Sequence, residues 1–254
     1  MYQESIQAVK GAANKKLALL HNNPLGYFLL SCLAGMYIGF GILLSFTVSG
    51  QLQGIPATKL IMGLCFGVAL SLVIIAGAEL FTGNNFVLGV GLFTKQNKIL
   101  DALYLWFVCW LGNLCGAVIL ALIFNACGLQ VEGVAKALAA AAFMKTHLGI
   151  EALLAPGVLC NILVCLAVWS GFQTKNDAAK LIMVFWCLLA FFTTGFEHSV
   201  ANMTVITAGL LAPMGQNITL GGFAYNLFWV SLGNMIGAIF FLALPYVLAA
   251  KKQK

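Results

Sequence analysis

The sequence predicts an all-α integral membrane protein with six transmembrane helices in one domain. Of its 254 residues, 62% are hydrophobic and 8% are charged, and the mean hydropathy is +1.00. About a quarter of the residues of a typical soluble domain are charged, so lipid must surround most of this chain. Six apolar stretches are each long enough to cross the roughly 30 Å of hydrocarbon in a bilayer. We expect a single transmembrane domain over residues 1–254.

The six predicted spans are residues 25–49, 60–93, 103–127, 152–172, 181–210 and 223–249. A polar segment, residues 1–24, precedes them, and we expect it to be cytoplasmic. The second and fifth spans exceed the 20 or so residues that one helix needs to cross a bilayer. Each of these two spans also carries titratable residues near its middle.

The lysines predict the orientation of the chain, because all 13 basic residues are lysine. With both termini in the cytoplasm, ten lysines face inward and three face outward. The outward three are Lys59, Lys136 and Lys145, and the inward ten are Lys10, Lys15, Lys16, Lys95, Lys98, Lys175, Lys180, Lys251, Lys252 and Lys254. Cytoplasmic loops carry an excess of Lys and Arg, so we expect both termini to be cytoplasmic.

Two pairs of motifs indicate an internal repeat. The pattern G-x-E-x-x-x-x-N occurs at residues 77–84 and again 118 residues later at 195–202. The pattern L-G-N-x-x-G-A occurs at residues 111–117 and again 121 residues later at 232–238. A first repeat, 25–127, and a second, 152–250, therefore have three spans each. An odd number of spans per repeat inverts the second repeat in the membrane, an arrangement common in transporters and channels.

The over-long second and fifth spans predict helices that are broken within the membrane. Residues 82–85, Thr-Gly-Asn-Asn, are poor helix formers. Half-helix N-termini that point into a cavity bring partial positive charge, which favours an anion. Gly112 and Gly116, like Gly233 and Gly237, form G-x-x-x-G patches that predict close helix contacts.

Three titratable residues lie within these spans, where such side chains are costly and usually functional. His198 can offer a proton to a passing anion and take it back; the alternative is a neutral structural histidine. Glu79 and Glu197 would repel an anion, so we expect each to cap a broken helix by accepting backbone N–H bonds. Asn84 and Asn202, in the same motifs, complete the predicted structural set at the breaks.

Two other classes of function fit the sequence less well. An aquaporin-like pore for neutral solutes carries N-P-A at each break and an arginine in its filter, whereas this chain has neither. A haem or metal enzyme of the membrane would need several ligands within reach. The three histidines are His21, His147 and His198, and only the last is mid-span. We expect no enzyme activity, metal or cofactor, and no nucleic-acid partner.

These motifs resemble the formate/nitrite transporter family over nearly the whole chain. The most specific segments are Ala78–Asn84 and Phe196–Met203. Within the family the nitrite-channel branch looks most similar, notably in Asn22–Gly26, Ile74–Gly77 and Trp186–Phe191. The resemblance implies an aquaporin-like fold and a homopentamer with one pore in each protomer. It also implies the inner membrane of a prokaryote, with lipid around the assembly.

The resemblance further implies the residues of the pore. It assigns contact with the substrate to His198, Thr82, Lys145, Asn161 and Asn234. It places Phe66, Leu70, Leu80, Phe81, Val164 and Phe191 at the constriction. Thr82 would face His198 or simply cap the helix break, and Lys145 would raise the concentration of anions in an outer vestibule.

The expected function is therefore a channel for small monovalent anions. Nitrite is the first expectation, and formate or hydrosulfide are the alternatives within the family. The residues leave open whether transport is coupled to protons through His198. The remote alternative is the neutral-solute pore described above.

Overall fold

The computed structural model describes residues 2–250, and within that range the fold is built from ten helices. They are α1 (Gln3–Asn22), α2 (Pro24–Gln51), α3 (Thr58–Gly77), α4 (Phe81–Phe93), α5 (Ile99–Ala126), α6 (Glu132–His147), α7 (Ile150–Gln173), α8 (Asp177–Thr194), α9 (Ser199–Leu211) and α10 (Leu220–Ala250). Helices α3 and α10 each contain one π-helical turn, Val73–Gly77 and Ile239–Ala243. Lys251, Lys252 and Lys254, part of the predicted inward set, lie outside the described residues.

Six of these helices are long and apolar enough to cross a membrane, counted over residues 2–250: α2, α3, α5, α7, α8 and α10. No strand occurs in that range. The prediction of an all-α protein with six apolar spans is therefore confirmed. Helices α4 and α9 are apolar as well, but each has only 13 residues.

Several helices begin where the sequence supplies a capping side chain. Asn23 accepts a hydrogen bond from the Gly26 N–H at 2.9 Å, and Pro24 follows it as the first residue of α2. Asn176 accepts from the Ala179 N–H at 3.1 Å at the start of α8. These caps satisfy N–H groups that the first helical turn leaves without partners.

The two over-long predicted spans each contain two helices joined by a non-helical segment. Residues 78–80 separate α3 from α4, and residues 195–198 separate α8 from α9. Gly77 and Gly195, at the ends of α3 and α8, have φ angles of +80° and +88°. Only glycine adopts this region readily, which explains why each motif begins with that residue.

The poor helix formers at residues 82–85 are helical, which differs from the prediction. They form the first turns of α4, and the non-helical residues lie just before them. Tertiary contacts override weak propensities: here, side chains from α2 and α5 bond to Asn84 and to the first N–H of α4. The predicted polar segment 1–24 is mostly the helix α1, whose buried residues Ile6 and Val9 join the core.

The predicted close helix contacts are confirmed. Gly116 on α5 lies against the backbone of Cys32 on α2, with no room for a Cβ. Gly237 on α10 lies in the same way against the backbone of Val158 on α7. The pairs α2–α5 and α7–α10 thus pack through backbone contact, as small residues permit in membrane helices.

Candidate functional site

Two cavities lie on either side of a closed apolar gap. The first cavity, about 480 Å³, is lined among others by Lys16, Glu79 and Lys180. The second cavity, about 490 Å³, is lined among others by Lys59 and Lys145. The gap between them has no space for a water molecule. Its lining residues are Ile38, Phe66, Leu70, Leu80, Val164, Leu188, Phe191 and His198.

The gap connects the two cavities through shared residues. Leu70 and Leu80 line both the first cavity and the gap, and Phe191 and His198 line both the gap and the second cavity. The three spaces therefore form one path that is closed in the middle by side chains.

Five of the six residues predicted at the constriction line this gap: Phe66, Leu70, Leu80, Val164 and Phe191. The sixth, Phe81, does not line it; it is the buried first residue of α4. Ile38 and Leu188 line the gap without having been predicted, because apolar residues in apolar helices carry no distinguishing signal in the sequence.

His198 is the polar residue of the gap, and its two ring nitrogens have different partners. Nδ1 accepts a hydrogen bond from the Ala201 N–H at 3.1 Å, which makes His198 the N-cap of α9. Nε2 lies 3.1 Å from the Thr82 hydroxyl oxygen. Because Nδ1 accepts, neutral His198 carries its proton on Nε2 and donates it to Thr82. The hydroxyl hydrogen of Thr82 then remains available to another acceptor.

Glu79 lies in a buried cluster next to the first cavity. Lys16 Nζ is 2.8 Å and 2.7 Å from its two carboxylate oxygens. Asn84 Nδ2 donates to the same carboxylate at 2.8 Å and is 3.0 Å from the Tyr27 hydroxyl. The carboxylate is thus neutralised by one lysine and held by one amide.

Glu197 has the matching partners next to the second cavity. Lys145 Nζ is 2.6 Å from one carboxylate oxygen, and Asn202 Nδ2 is 2.6 Å from the other. Asn202 also donates to Asn226 Oδ1 at 2.9 Å. Lys145 therefore lines the second cavity, but its ammonium is bonded to a carboxylate.

The prediction that the two glutamates accept backbone N–H bonds at the breaks is wrong. Their carboxylates bond to lysine and asparagine side chains, and two other asparagines cap the helices. Asn113 Oδ1 accepts from the first N–H of α4, that of Phe81, at 2.9 Å. Asn234 Oδ1 accepts from the first N–H of α9, that of Ser199, at 3.0 Å.

Each capping asparagine also uses both amide hydrogens. Asn113 donates to the carbonyls of Ser31 and Glu79 at 2.7 Å and 2.9 Å. Asn234 donates to the carbonyls of Gly157 and Glu197 at 2.8 Å and 2.9 Å. Neither amide has a hydrogen left for an anion.

Asn161 is buried in the same region and bridges backbone groups of α4 and α10. Its amide donates to the Thr82 carbonyl at 3.2 Å and to the Asn234 carbonyl at 2.8 Å. It does not line the gap.

Sequence reasoning missed four polar residues of this region: Lys16, Lys59, Lys180 and Asn113. The repeated L-G-N motif contained the signal for Asn113, since its counterpart Asn234 was assigned to the site. The lysines gave no signal beyond their contribution to the orientation of the chain.

The sequence profile of the formate/nitrite transporter family matches residues 3–248. The chain belongs to this family. The nitrite transporter NirC of Salmonella typhimurium is 40% identical over 258 residues, an alignment that covers 100% of this chain and 94% of the relative. The predicted family is thus confirmed, and it is a family of membrane transport proteins rather than enzymes.

Two solved structures of similar proteins have the same fold. One, described as an FNT family ion channel, is 39% identical with a TM-score of 0.92 and covers 97% of this chain and 99% of its own. The other, a pentameric formate channel with formate bound, is 30% identical with a TM-score of 0.76 and covers 96% and 99%. The family's channel fold therefore extends over this chain almost from end to end.

Proposed function

We propose that this protein conducts small monovalent anions, nitrite first, through the path formed by the two cavities and the gap. The observation that carries the proposal is the pairing of two lysine-lined cavities with a closed apolar gap whose polar residue is His198. Positive charge at both ends suits an anion, and one hydrogen-bonding group in an apolar slit suits a small one. The similar protein from Salmonella typhimurium is named a nitrite transporter, which supports nitrite as the substrate.

We infer that the chain is a single domain formed by an inverted repeat of residues 25–127 and 152–250. In this arrangement α3 with α4, and α8 with α9, are two interrupted membrane spans. The matching bonds of Glu79 and Glu197, and of Asn113 and Asn234, support this inference. Both short helices then begin next to the gap, and their N-termini add partial positive charge on the path.

Crossing the gap is the costly step, because an anion loses its water there. The Nε2 hydrogen of His198 polarises the Thr82 hydroxyl, whose own hydrogen is available to the anion. Thr82 is buried and does not itself line the gap, so this donor lies directly behind His198, which does. Water is excluded around the anion by the apolar residues of the gap, Phe66, Leu70, Leu80, Val164 and Phe191.

Proton coupling is a second part of the proposal. To hand over a proton, His198 first binds a second one at Nδ1, which releases the Ala201 N–H. The imidazolium then gives its Nε2 proton to the Thr82 hydroxyl as that hydroxyl gives its own proton to the anion, which leaves a neutral histidine and a neutral acid. The acid crosses the apolar gap without the cost of burying a charge, and it returns the proton to Nε2 or carries it across.

The remaining predicted residues receive supporting roles in this proposal. Asn161 and Asn234 position the starts of the short helices instead of contacting the anion, because their amide hydrogens are bonded to backbone carbonyls. Lys145 holds Glu197, and Asn84 and Asn202 hold the two glutamates. Phe81 forms the start of α4, where its N–H donates to Asn113.

Formate and hydrosulfide are alternative substrates for the same path. A similar solved protein is a formate channel with formate bound, so formate is the stronger alternative. That protein is pentameric, and we propose a homopentamer here too, in the inner membrane of a prokaryote, surrounded by lipid and with both termini in the cytoplasm. Cysteine labelling of intact cells tests the orientation: an externally added reagent should reach residue 129 and not residue 97.

Anion flux into liposomes tests the function. Purified protein is reconstituted, and the uptake of nitrite, formate and hydrosulfide is compared with uptake into empty liposomes. We expect nitrite flux well above the empty control, and its loss in His198→Phe, which removes the polar group of the gap. Flux of none of the three anions would overturn the proposal, and flux of formate without nitrite would reassign the substrate.

A further inference from the structure

The lysines of the second cavity are in two different electrostatic states. Lys145 and Glu197 form an ion pair at 2.6 Å, and only 14% and 6% of their side-chain surfaces are exposed. Lys59 lines the same cavity and is exposed. Among residues 2–250 no carboxylate lies within ion-pair distance of Lys59. One of the two positive charges of this cavity is therefore compensated and the other is not.

This difference decides which lysine attracts an anion from a distance. A lysine and a carboxylate in contact act as a dipole, whose potential falls faster with distance than that of a single charge. Lys145 consequently adds little attraction beyond its own neighbourhood. No carboxylate among residues 2–250 pairs with Lys59, and the low-dielectric walls of a cavity focus the field of such a charge toward its interior.

The ammonium of Lys59 lies at the point where the chain turns toward the gap. A Cβ added to Gly195 would lie 2.8 Å from Lys59 Nζ, so the ammonium lies directly over this glycine. Gly195 is the C-cap of α8 and lies three residues before His198. The C-terminal end of a helix carries partial negative charge, which favours a cation at this position.

The internal repeat supplies a counterpart in the first cavity. Lys180 lies 121 residues after Lys59, the same offset as between the two L-G-N motifs, and it lines the first cavity. Lys16 in that cavity is bonded to Glu79. Lys180 contacts Asp177 at 2.9 Å, but the Asp177 side chain is 75% exposed, so solvent screens this pair. Each cavity thus has one lysine in a buried ion pair and one lysine without a buried carboxylate partner.

We propose that Lys59 captures anions at the second cavity and Lys180 at the first, whereas Lys145 and Lys16 hold the buried glutamates in place. This inference rests on the proposed anion pore and names the residues that recruit its substrate. Capture is a long-range effect, so it must depend on ionic strength.

The first test is nitrite flux at low and high ionic strength in reconstituted liposomes. At low salt, Lys59→Gln should raise the nitrite concentration for half-maximal flux about threefold to tenfold, with the maximal flux nearly unchanged. The difference should shrink at about 0.5 M salt, where the Debye length falls below roughly 5 Å. Lys180→Gln should do the same for flux entering from the opposite side.

The matched control is Lys136→Gln. Lys136 is on the same predicted outer face, is exposed, pairs with Glu132 and lines neither cavity. The Lys136→Gln substitution removes the same charge as Lys59→Gln and should leave flux unchanged. A Lys59→Gln curve identical to the wild type at low salt, or an effect equally large at high salt, would overturn the proposal.

A labelling measurement tests capture without depending on flux. Met144 lines the second cavity and is exposed, so Met144→Cys in a Cys127→Ser background gives a reporter thiol there. The ratio of its reaction rates with an anionic and a cationic methanethiosulfonate reagent reports the local potential. We expect Lys59→Gln to lower this ratio about threefold to tenfold, and Lys136→Gln to leave it unchanged.

The two measurements separate the inference from the function on which it rests. A lowered ratio in a protein that conducts none of the three anions would support capture by Lys59 and reject the proposed pore. Normal wild-type flux with an unchanged ratio in Lys59→Gln would reject capture and keep the pore.

Discussion

The two halves of the molecule share one set of hydrogen bonds, here called the frame, but differ in the residue that each half places at the gap. In the first half the Glu79 N–H donates to the Leu30 carbonyl at 3.2 Å; in the second the Glu197 N–H donates to the Pro156 carbonyl at 3.3 Å. Asn113 and Asn234 complete each frame with three bonds apiece. The frame therefore belongs to the repeated part of the sequence.

The two halves differ in the residue just before each short helix. Leu80 precedes α4, and His198 precedes α9, 118 residues later. Both side chains reach the same gap from opposite halves. Since the first half forms its frame with a leucine there, the frame does not need a histidine. From this comparison we propose that stability resides in the hydrogen bonds that the two halves share, and the chemistry of transport in His198, which only the second half has.

The largest expected effect is on the shared frame. Asn113→Leu and Asn234→Leu each remove three hydrogen bonds and leave buried backbone groups without partners. Each should destabilise the protein by about 3 kcal/mol. Thermal unfolding of the protein in detergent measures this loss. Similar losses in the two variants support the comparison; a loss confined to one of them would show that the halves are not built alike.

A smaller effect is expected from breaking the ion pairs. Lys16→Met and Lys145→Met each leave a buried glutamate without its cation, which should cost about 2 kcal/mol at these partly buried sites. The Lys145 pair is the less exposed one, at 14% and 6% against 21% and 11% for the Lys16 pair, so its loss should be the greater.

The control for this prediction removes both charges. Adding Glu197→Gln to Lys145→Met should recover most of the stability, because no uncompensated charge remains. Unfolding measurements on the four proteins of this cycle give the coupling between the two residues. A coupling near zero would contradict the assignment of Lys145 to holding Glu197.

The smallest expected effect comes from removing the contact between Thr82 and His198. Thr82→Val replaces a hydroxyl with a methyl of similar size and removes the partner of His198 Nε2. One hydrogen bond is worth about 1 kcal/mol, so nitrite flux should fall about fivefold to tenfold, and the free energy of unfolding should fall by only about 1 kcal/mol.

Thr204→Val is the matched control for Thr82→Val. Thr204 is fully buried on α9, and its hydroxyl has no hydrogen-bond partner among the described residues. The same substitution there should leave flux unchanged. Equal effects of the two variants, or no effect of Thr82→Val on any anion, would remove Thr82 from the path.

Much of this fold follows from the sequence, because hydropathy fixes spans and repeated motifs are visible without a structure. The two G-x-E-x-x-x-x-N motifs coincide with the non-helical residues 78–80 and 195–198, and the first of these segments precedes Thr82 instead of including it. The capping role of Asn113 and Asn234 was not predictable from local patterns, because it depends on backbone groups about 30 to 80 residues away. The same holds for Lys16, whose partner Glu79 is 63 residues distant.

The pH dependence of flux tests the central claim, that the second half supplies the chemistry through His198. Asparagine keeps a hydrogen-bond donor and cannot titrate, so His198→Asn separates the two roles. Nitrite and formate flux are measured from about pH 5 to 8, where histidine changes charge, for wild type and variant in matched liposomes. We expect His198→Asn to conduct with a pH profile of different shape. Profiles of the same shape for both anions would contradict the claim, leaving His198 as a structural N-cap and the path as an electrostatic funnel into an apolar slit.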